Sequence, residues 1–254
     1  MQNNPTFIKS KLVRTENLGN GYFKSWFYNP HIAVNSTPGQ FVMIQTNQFL
    51  FRPLSVSDVS NNEVGFLYKI FGEGTKYLAS LKKDDEVYLN GPLGKGFQYP
   101  SKNHSLLAVA GGIGIATFPY FLKLASQQGY KITILYGARS KNDLISLDEL
   151  GQYGELEIIT DDGSSHRKGY VSELLEEKLS VNKNYEVYIC GPTPMLKSAN
   201  SICVKYNIYP QISFEEYMCC GYGVCMSCVV KNTDGTYIRT CIEGPVIKSN
   251  FVEI

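Results

Sequence analysis

Read from the N-terminus, the hydrophobic rhythm of the chain changes once, near residue 104. Before that point, short runs rich in Val, Ile, Phe and Tyr alternate with Gly, Pro, Asn and Asp: FIKSKLVRTENL, YFKSWFYN, QFVMIQT, EVGFLYKIF and DEVYLNGPLG. Short strands at a spacing of about ten residues predict a small antiparallel barrel. One helical stretch interrupts it, GTKYLASLKKDD, in which Leu78 and Leu81 stand three apart. Past residue 104 the runs become continuously apolar. SLLAVAGG, KITILYGAR, LEIITDDG and YEVYICGP alternate with the helical patterns ATFPYFLKLASQQG, SELLEEKL and TPMLKSANSICVKY. Buried strands alternating with helices predict a parallel, doubly wound sheet. After YPQISFEE a cysteine-rich segment runs to the C-terminus. The expected organisation is a barrel over 1–101, an α/β domain over 102–212 and a small cysteine lobe over 213–254, without repeats or low-complexity linkers.

Composition narrows the class. Hydrophobic residues at 43% and charged residues at 19% of 254 are those of a globular chain rather than a disordered one. A net charge of +1 points away from nucleic acid and anionic membranes. Neither a transmembrane run nor a secretory signal is visible, so a soluble cytoplasmic protein is expected. His31, His104 and His166 stand apart from every motif and are read as solvated, and no acid–base or nucleophile constellation emerges.

Cysteine changes the picture most. Of seven, five fall within residues 219–254, which argues for one local site rather than a disulfide framework. Cys220, Cys225, Cys228 and Cys241 give C-x4-C-x2-C-x12-C, and the first three match the plant-type [2Fe–2S] spacing. Gly221 and Gly223 let the loop curl so that amides approach the sulfurs, which offsets cluster charge. Zinc is the rival, but only Cys225 and Cys228 form a knuckle-like pair. Cys219 stands beside Cys220 as an alternative ligand; the glycine directly after Cys220 favours Cys220. Cys190 and Cys203, at a strand end and in a helix, read as buried thiols.

Three further stretches suggest anion binding. RPLS at 52–55 combines a cation, a rigid proline and a hydroxyl. FGEGTKYL puts Gly74 and Thr75 where a strand meets a helix N-terminus, whose amides and dipole favour phosphate. AGGIGIA places Gly111, Gly112 and Gly114 in a strand–turn–helix start, although its spacing is not G-x-G-x-x-G. It and CGPTPM, with Cys190, Gly191, Pro192 and Met195, would share the carboxyl edge of one parallel sheet, where such sheets bind ligands.

The pairing of R-x-x-S with G-x-G-T resembles the flavin-binding barrel of the ferredoxin–NADP reductase superfamily. That resemblance implies FAD held by Arg52, Pro53, Leu54, Ser55, Lys69, Ile70, Phe71, Gly74 and Thr75, with Arg52 at the pyrophosphate and Ser55 close to the flavin ring. G-G-x-G-x-A followed by C-G-P-x-x-M is similar to the superfamily's nicotinamide pair. It implies NAD at Gly111, Gly112, Gly114, Gly191, Pro192 and Met195, Arg139 of LYGARS on the adenosine side, and Cys190 facing the nicotinamide. Thr117 departs from the usual proline. The whole chain, ending in SFEEYMCCGYGVCMSCVV and IRTCIEGPVI, resembles the electron-transfer subunit family of NAD-linked (class 1B) dihydroorotate dehydrogenases; Tyr217 stands where arginine is common. The implied activity is an oxidoreductase relay in pyrimidine (UMP) biosynthesis. A separate FMN-containing catalytic subunit oxidises dihydroorotate, and electrons pass through [2Fe–2S] and FAD to NAD⁺ in a two-plus-two heterotetramer. Exposed Tyr222, Val224 and Met226 are expected at the docking face. Left open are a small subunit of another NAD(P)H-linked reductase or hydrogenase complex, a zinc-stabilised module, and NADP in place of NAD.

Overall fold

The computed structural model describes residues 6–101 and 103–254. Contacts divide the chain into two compact units. The first comprises Met1–Phe97, Glu215–Val230 and Ile238–Val246; the second comprises Gln98–Phe214, Lys231–Tyr237 and Ile247–Ile254. The cysteine segment is thus shared between them, with every residue from 215 to 230 assigned to the first.

The first unit is built on β1 (Thr6–Gly19), β2 (Tyr22–Tyr28), α1 (Pro30–Asn35), β3 (Phe41–Ile44), β4 (Arg52–Ser55), β5 (Asp58–Ser60), β6 (Glu63–Lys69), α2 (Glu73–Ser80) and β7 (Glu86–Leu93). The seven strands hydrogen-bond in the order β4-β3-β7-β1-β2-β6-β5, antiparallel throughout. β4 and β5 lie at opposite ends of that order, yet only Val56 and Ser57 separate them in the chain. A two-residue link cannot cross a flat seven-stranded sheet, so the sheet curls until its ends meet. Its inner face is lined by Val42, Ile44, Val64, Phe66 and Leu89, all fully buried.

The second unit contains β8 (Ser105–Gly111), a 3₁₀ turn (Gly112–Thr117), α3 (Pro119–Gln127), β9 (Ile132–Ala138), α4 (Leu147–Gly151), β10 (Glu155–Thr160), α5 (Val171–Val181), β11 (Tyr185–Cys190), α6 (Thr193–Lys205) and β12 (Gln211–Ser213). The sheet order is β10-β9-β8-β11-β12, parallel at each pairing. β15 (Val246–Lys248) closes its edge, and β13 (Val229–Lys231) with β14 (Tyr237–Arg239) forms a separate ribbon. Leu106 to Ala110 are wholly buried, as a strand covered on both faces requires. The order reverses between β8 and β11, the switch point where ligands bind such sheets.

The glycine turn after β8, read as a helix start, forms a 3₁₀ turn over Gly112–Thr117, and α3 begins at Pro119 within the expected ATFPYFLKLASQQG stretch. Proline has no amide to donate and would clash with the carbonyl four residues back, but it suits the first helical position. Among the described residues no helix is long and apolar enough to cross a membrane.

Candidate functional site

Three groups of residues carry chemistry. In the first unit, β4 brings Arg52 against the start of α2. A Cβ on Gly74 would stand 2.9 Å from Arg52 Nε and 3.4 Å from Thr46 Oγ1, so the guanidinium lies directly on that glycine. Arg52 Nη1 also donates to the Leu50 carbonyl at 3.0 Å. Two stretches twenty residues apart in the chain therefore meet, with Pro53, Leu54 and Ser55 half-buried beside them. The Thr75 hydroxyl accepts from the amides of Phe71 and Gly72 and donates to the Gly72 carbonyl. The opening amides of α2, like those at any helix start, have no partner inside the helix. Lys69 Nζ donates to the Tyr22 hydroxyl at 3.1 Å and sits over its ring; Ile70 and the exposed Phe71 follow it. A cation on a glycine at a helix N-terminus fits a diphosphate.

In the second unit, Gly111, Gly112, Arg139, Pro192 and Met195 line one cavity of about 520 Å³ at the switch point. A Cβ on Gly191 would meet Met195 Sδ at 2.8 Å, and one on Gly114 the Cys190 carbonyl at 2.6 Å. The glycines thus let the ends of β8 and β11 close up beneath Met195. The volume suits a nucleotide-sized ligand. Cys190 lies below this lining: its thiol is buried, 3.4 Å from Thr117 Oγ1. Asp161, Tyr170 and Ser172 also line the cavity. Burial raises the Asp161 carboxyl above the usual range, and the Arg139 charge opposes that.

The cysteine loop belongs to the first unit. Cys228 and Cys241 are buried in a cluster with Phe41, Met43 and Leu93, flanked by Phe51 and Met218. Cys220 is half-buried and Cys225 exposed. Gly221, Gly223 and Met226 have φ of 73°, 72° and 59°, curling the loop. The Tyr222 amide donates to Cys220 Sγ at 3.3 Å, and the Tyr222 hydroxyl to buried Asn90 at 2.8 Å. The thiols act on one another. Cys225 is lowered to about 6, chiefly by the Ser227 hydroxyl, then by the Ser227 and Cys220 amides and the Cys220 thiol. Burial, then the neighbouring Cys228, pushes Cys241 up. Cys220 with Cys225, and Cys228 with Cys241, are neighbouring thiols, and Cys220 also acts on Cys241. Four thiols gathered in this way suit a [2Fe–2S] cluster. Cys219 is exposed, and its amide is the group that makes a local bond, to Ser227.

Cys203 is buried inside α6 and pushed up to about 12, an inert thiol as expected. His104 and His166 are exposed. His31 differs: it is half-buried in α1 with Nε2 enclosed. Sequence reasoning missed Ser227, Met43 and Asn90. The last had a visible signal, an amide side chain inside the apolar run YLNGPL.

The comparisons with known proteins follow the same division. Residues 215–253 match the iron-sulfur cluster binding domain of dihydroorotate dehydrogenase B, and 108–201 match the oxidoreductase NAD-binding domain. A dihydroorotate dehydrogenase B (NAD(+)) electron transfer subunit of Fusobacterium nucleatum is 39% identical over 86% of this chain and 87% of its own. One from Caldanaerobacter subterraneus is 39% identical over 82% and 84%. Among solved structures, an NADH-dependent reduced ferredoxin-NADP oxidoreductase aligns at TM-score 0.86 and 28% identity, covering 96% of this chain and 89% of that one. A ferredoxin reductase in carbazole 1,9a-dioxygenase aligns at TM-score 0.71 and 19% identity, covering 80% and 67%, and shares the fold.

Proposed function

Because this chain belongs to the family of dihydroorotate dehydrogenase B (NAD⁺) electron transfer subunits, we propose that it carries electrons from a separate dihydroorotate-oxidising subunit to NAD⁺, in pyrimidine biosynthesis. The observation that carries the reading is the double pair of thiols built onto a flavin-reductase barrel. The cofactors are FAD, a [2Fe–2S] cluster and NAD, held by barrel 1–101, lobe 213–254 and domain 102–212 respectively. The cluster, when bound, supplies one-electron steps, which flavin couples to hydride exchange with nicotinamide.

The chain's own residues bind and orient. Cys220, Cys225, Cys228 and Cys241 would hold the cluster, with Cys228 and Cys241 as its buried pair. The apolar cover of Phe41, Met43 and Leu93 keeps water from the inner pair. Arg52 and the opening of α2 at Gly74 and Thr75 clamp the FAD diphosphate. Pro53, Leu54, Ser55, Lys69, Ile70 and Phe71 line the remainder. Gly111, Gly112 and Gly114 admit the NAD pyrophosphate; Gly191, Pro192 and Met195 seat the nicotinamide half, with Cys190 behind it, and Arg139 takes the adenosine side. The partner is an FMN-containing subunit in a cytoplasmic two-plus-two heterotetramer, docked around exposed Tyr222, Val224 and Met226.

A second reading is favoured by the 28% identical ferredoxin-NADP oxidoreductase, which matches over nearly all of the chain. Native co-purification on the tagged chain separates the two. The eluate should reduce NAD⁺ with dihydroorotate and lose that activity when the partner is stripped away. An eluate that takes electrons from NADH but ignores dihydroorotate would move the chain to the other reductases.

A further inference from the structure

Ser227 lies between two of the cluster cysteines, and its hydroxyl has more neighbours than it has protons. Its Oγ stands 3.2 Å from Cys225 Sγ and 3.1 Å from the Tyr217 carbonyl oxygen, while the Cys219 amide donates to it at 3.3 Å. A hydroxyl carries one proton and two lone pairs. The Cys219 amide takes a lone pair, so the single proton must choose between the Tyr217 carbonyl and the Cys225 sulfur. An iron-bound cysteine sulfur carries thiolate charge, and a charged acceptor binds a donor about twice as strongly as a neutral one. The place of Oγ does not depend on that choice. The Cys219 amide bonds it from one side, and the preceding Met226 turns the backbone through a left-handed φ of 59°.

We propose that Ser227 is a positioning residue that sets the redox poise of the cluster, by directing its hydroxyl proton onto Cys225 Sγ. Cys225 is the exposed member of the outer pair; the Ser227 and Cys220 amides also reach its sulfur, and the Ser227 hydroxyl is the side-chain donor held beside it. A fixed O–H group stabilises negative charge on the sulfur, and most in the state with one more electron. Reduction takes that electron from the donor; Ser227 keeps its proton, and no bond at Ser227 forms or breaks. The proposal rests on the reading of Cys225 as a cluster ligand.

The test compares wild type, Ser227→Ala and Ser227→Thr as full chains with cofactors in place. The cluster midpoint is followed by electron paramagnetic resonance during a mediator-dye titration. The alanine variant should be harder to reduce by roughly tenfold in the one-electron equilibrium, about 59 mV. The threonine variant should keep the wild-type value. Resonance Raman iron–cysteine bands should shift further in D₂O for wild type and Ser227→Thr than for Ser227→Ala, because the loop amides exchange in all three and only the hydroxyl differs; Ser227→Val, matched in shape to threonine, takes the place of the alanine variant if that one cannot hold its cluster. An unchanged midpoint in Ser227→Ala, or the same D₂O shift with and without the hydroxyl, would overturn the role of the hydroxyl. A wild-type chain with no cluster signal at all would instead remove the ligand assignment beneath it.

Discussion

Gly221→Ala probes whether the cysteine loop depends on both its backbone conformation and its seat on the barrel. Gly221 has φ +73°, and a Cβ there would stand 3.1 Å from Met43 Cγ and 3.2 Å from Leu93 Cδ1. The left-handed backbone alone costs an alanine about 1 kcal/mol. Pressing a methyl into a packed apolar floor adds about 1–3 kcal/mol, because Met43 and Leu93 are themselves buried and must shift. Gly235 supplies the control: its φ is +86°, but nothing lies within 4 Å of its Cβ position. Gly235→Ala therefore carries only the backbone cost. The assay is the survival of iron and acid-labile sulfide against a chelator, measured for both variants with flavin content as a check on the barrel. A difference of about 2 kcal/mol predicts that Gly221→Ala sheds its cluster some thirtyfold more readily than Gly235→Ala. Pairing Gly221→Ala with Met43→Ala should recover part of the loss, since neighbouring sites couple. Equal behaviour of the two single variants would refute the claim that the loop is seated on Met43 and Leu93.

Cys220→Ser should abolish cluster assembly while Cys219→Ser keeps full iron content, because Cys220 shares a bond network with Cys225 and Cys219 is exposed; iron analysis of the purified variants decides it. Met226→Glu, at an exposed site, should weaken assembly with the partner by at least about tenfold while FAD stays bound, as gel filtration with absorbance detection would show. In chelator-stripped protein, Cys225 is lowered to about 6, so at pH 7 it is mostly thiolate and should be alkylated by iodoacetamide ahead of Cys203. Its labelling rate should fall as pH drops through about 6; peptide mass spectrometry across that range would expose an ordinary thiol.

The cysteine spacing, the switch-point motifs and the strand runs were legible because each is a local pattern imposed by chemistry: thiols around irons, glycines where backbones touch, apolar residues in covered strands. Arg52 with Gly74 was legible only through resemblance, since nothing local says that residues twenty apart will meet. β4 and β5 are too short to display alternation, and α1 is too short for a period. The 3₁₀ turn at Gly112 depends on Pro119 several residues later, a signal present in ATFPYF but outweighed by its helical period. The pairing of Cys220 with Cys225, and of Cys228 with Cys241, follows from how the loop folds over β3, which no spacing records. The cysteine-rich composition marks a change near 213, but nothing in it records how the final segment is shared between the two units.

β3 has an unusual share of the work for four residues. Phe41 and Met43 floor the buried thiol pair, while the same strand pairs residue for residue with Arg52, Pro53, Leu54 and Ser55. The cysteine lobe is therefore not a cassette that can be lifted onto another barrel by joining chains at 213. A transplanted lobe would meet a foreign floor, and a floor altered to suit it would disturb the strand that carries Arg52. Variation in this lineage should move these positions as a set, and recombination that splits β3 from the C-terminal lobe should yield barrels that keep flavin and lose iron.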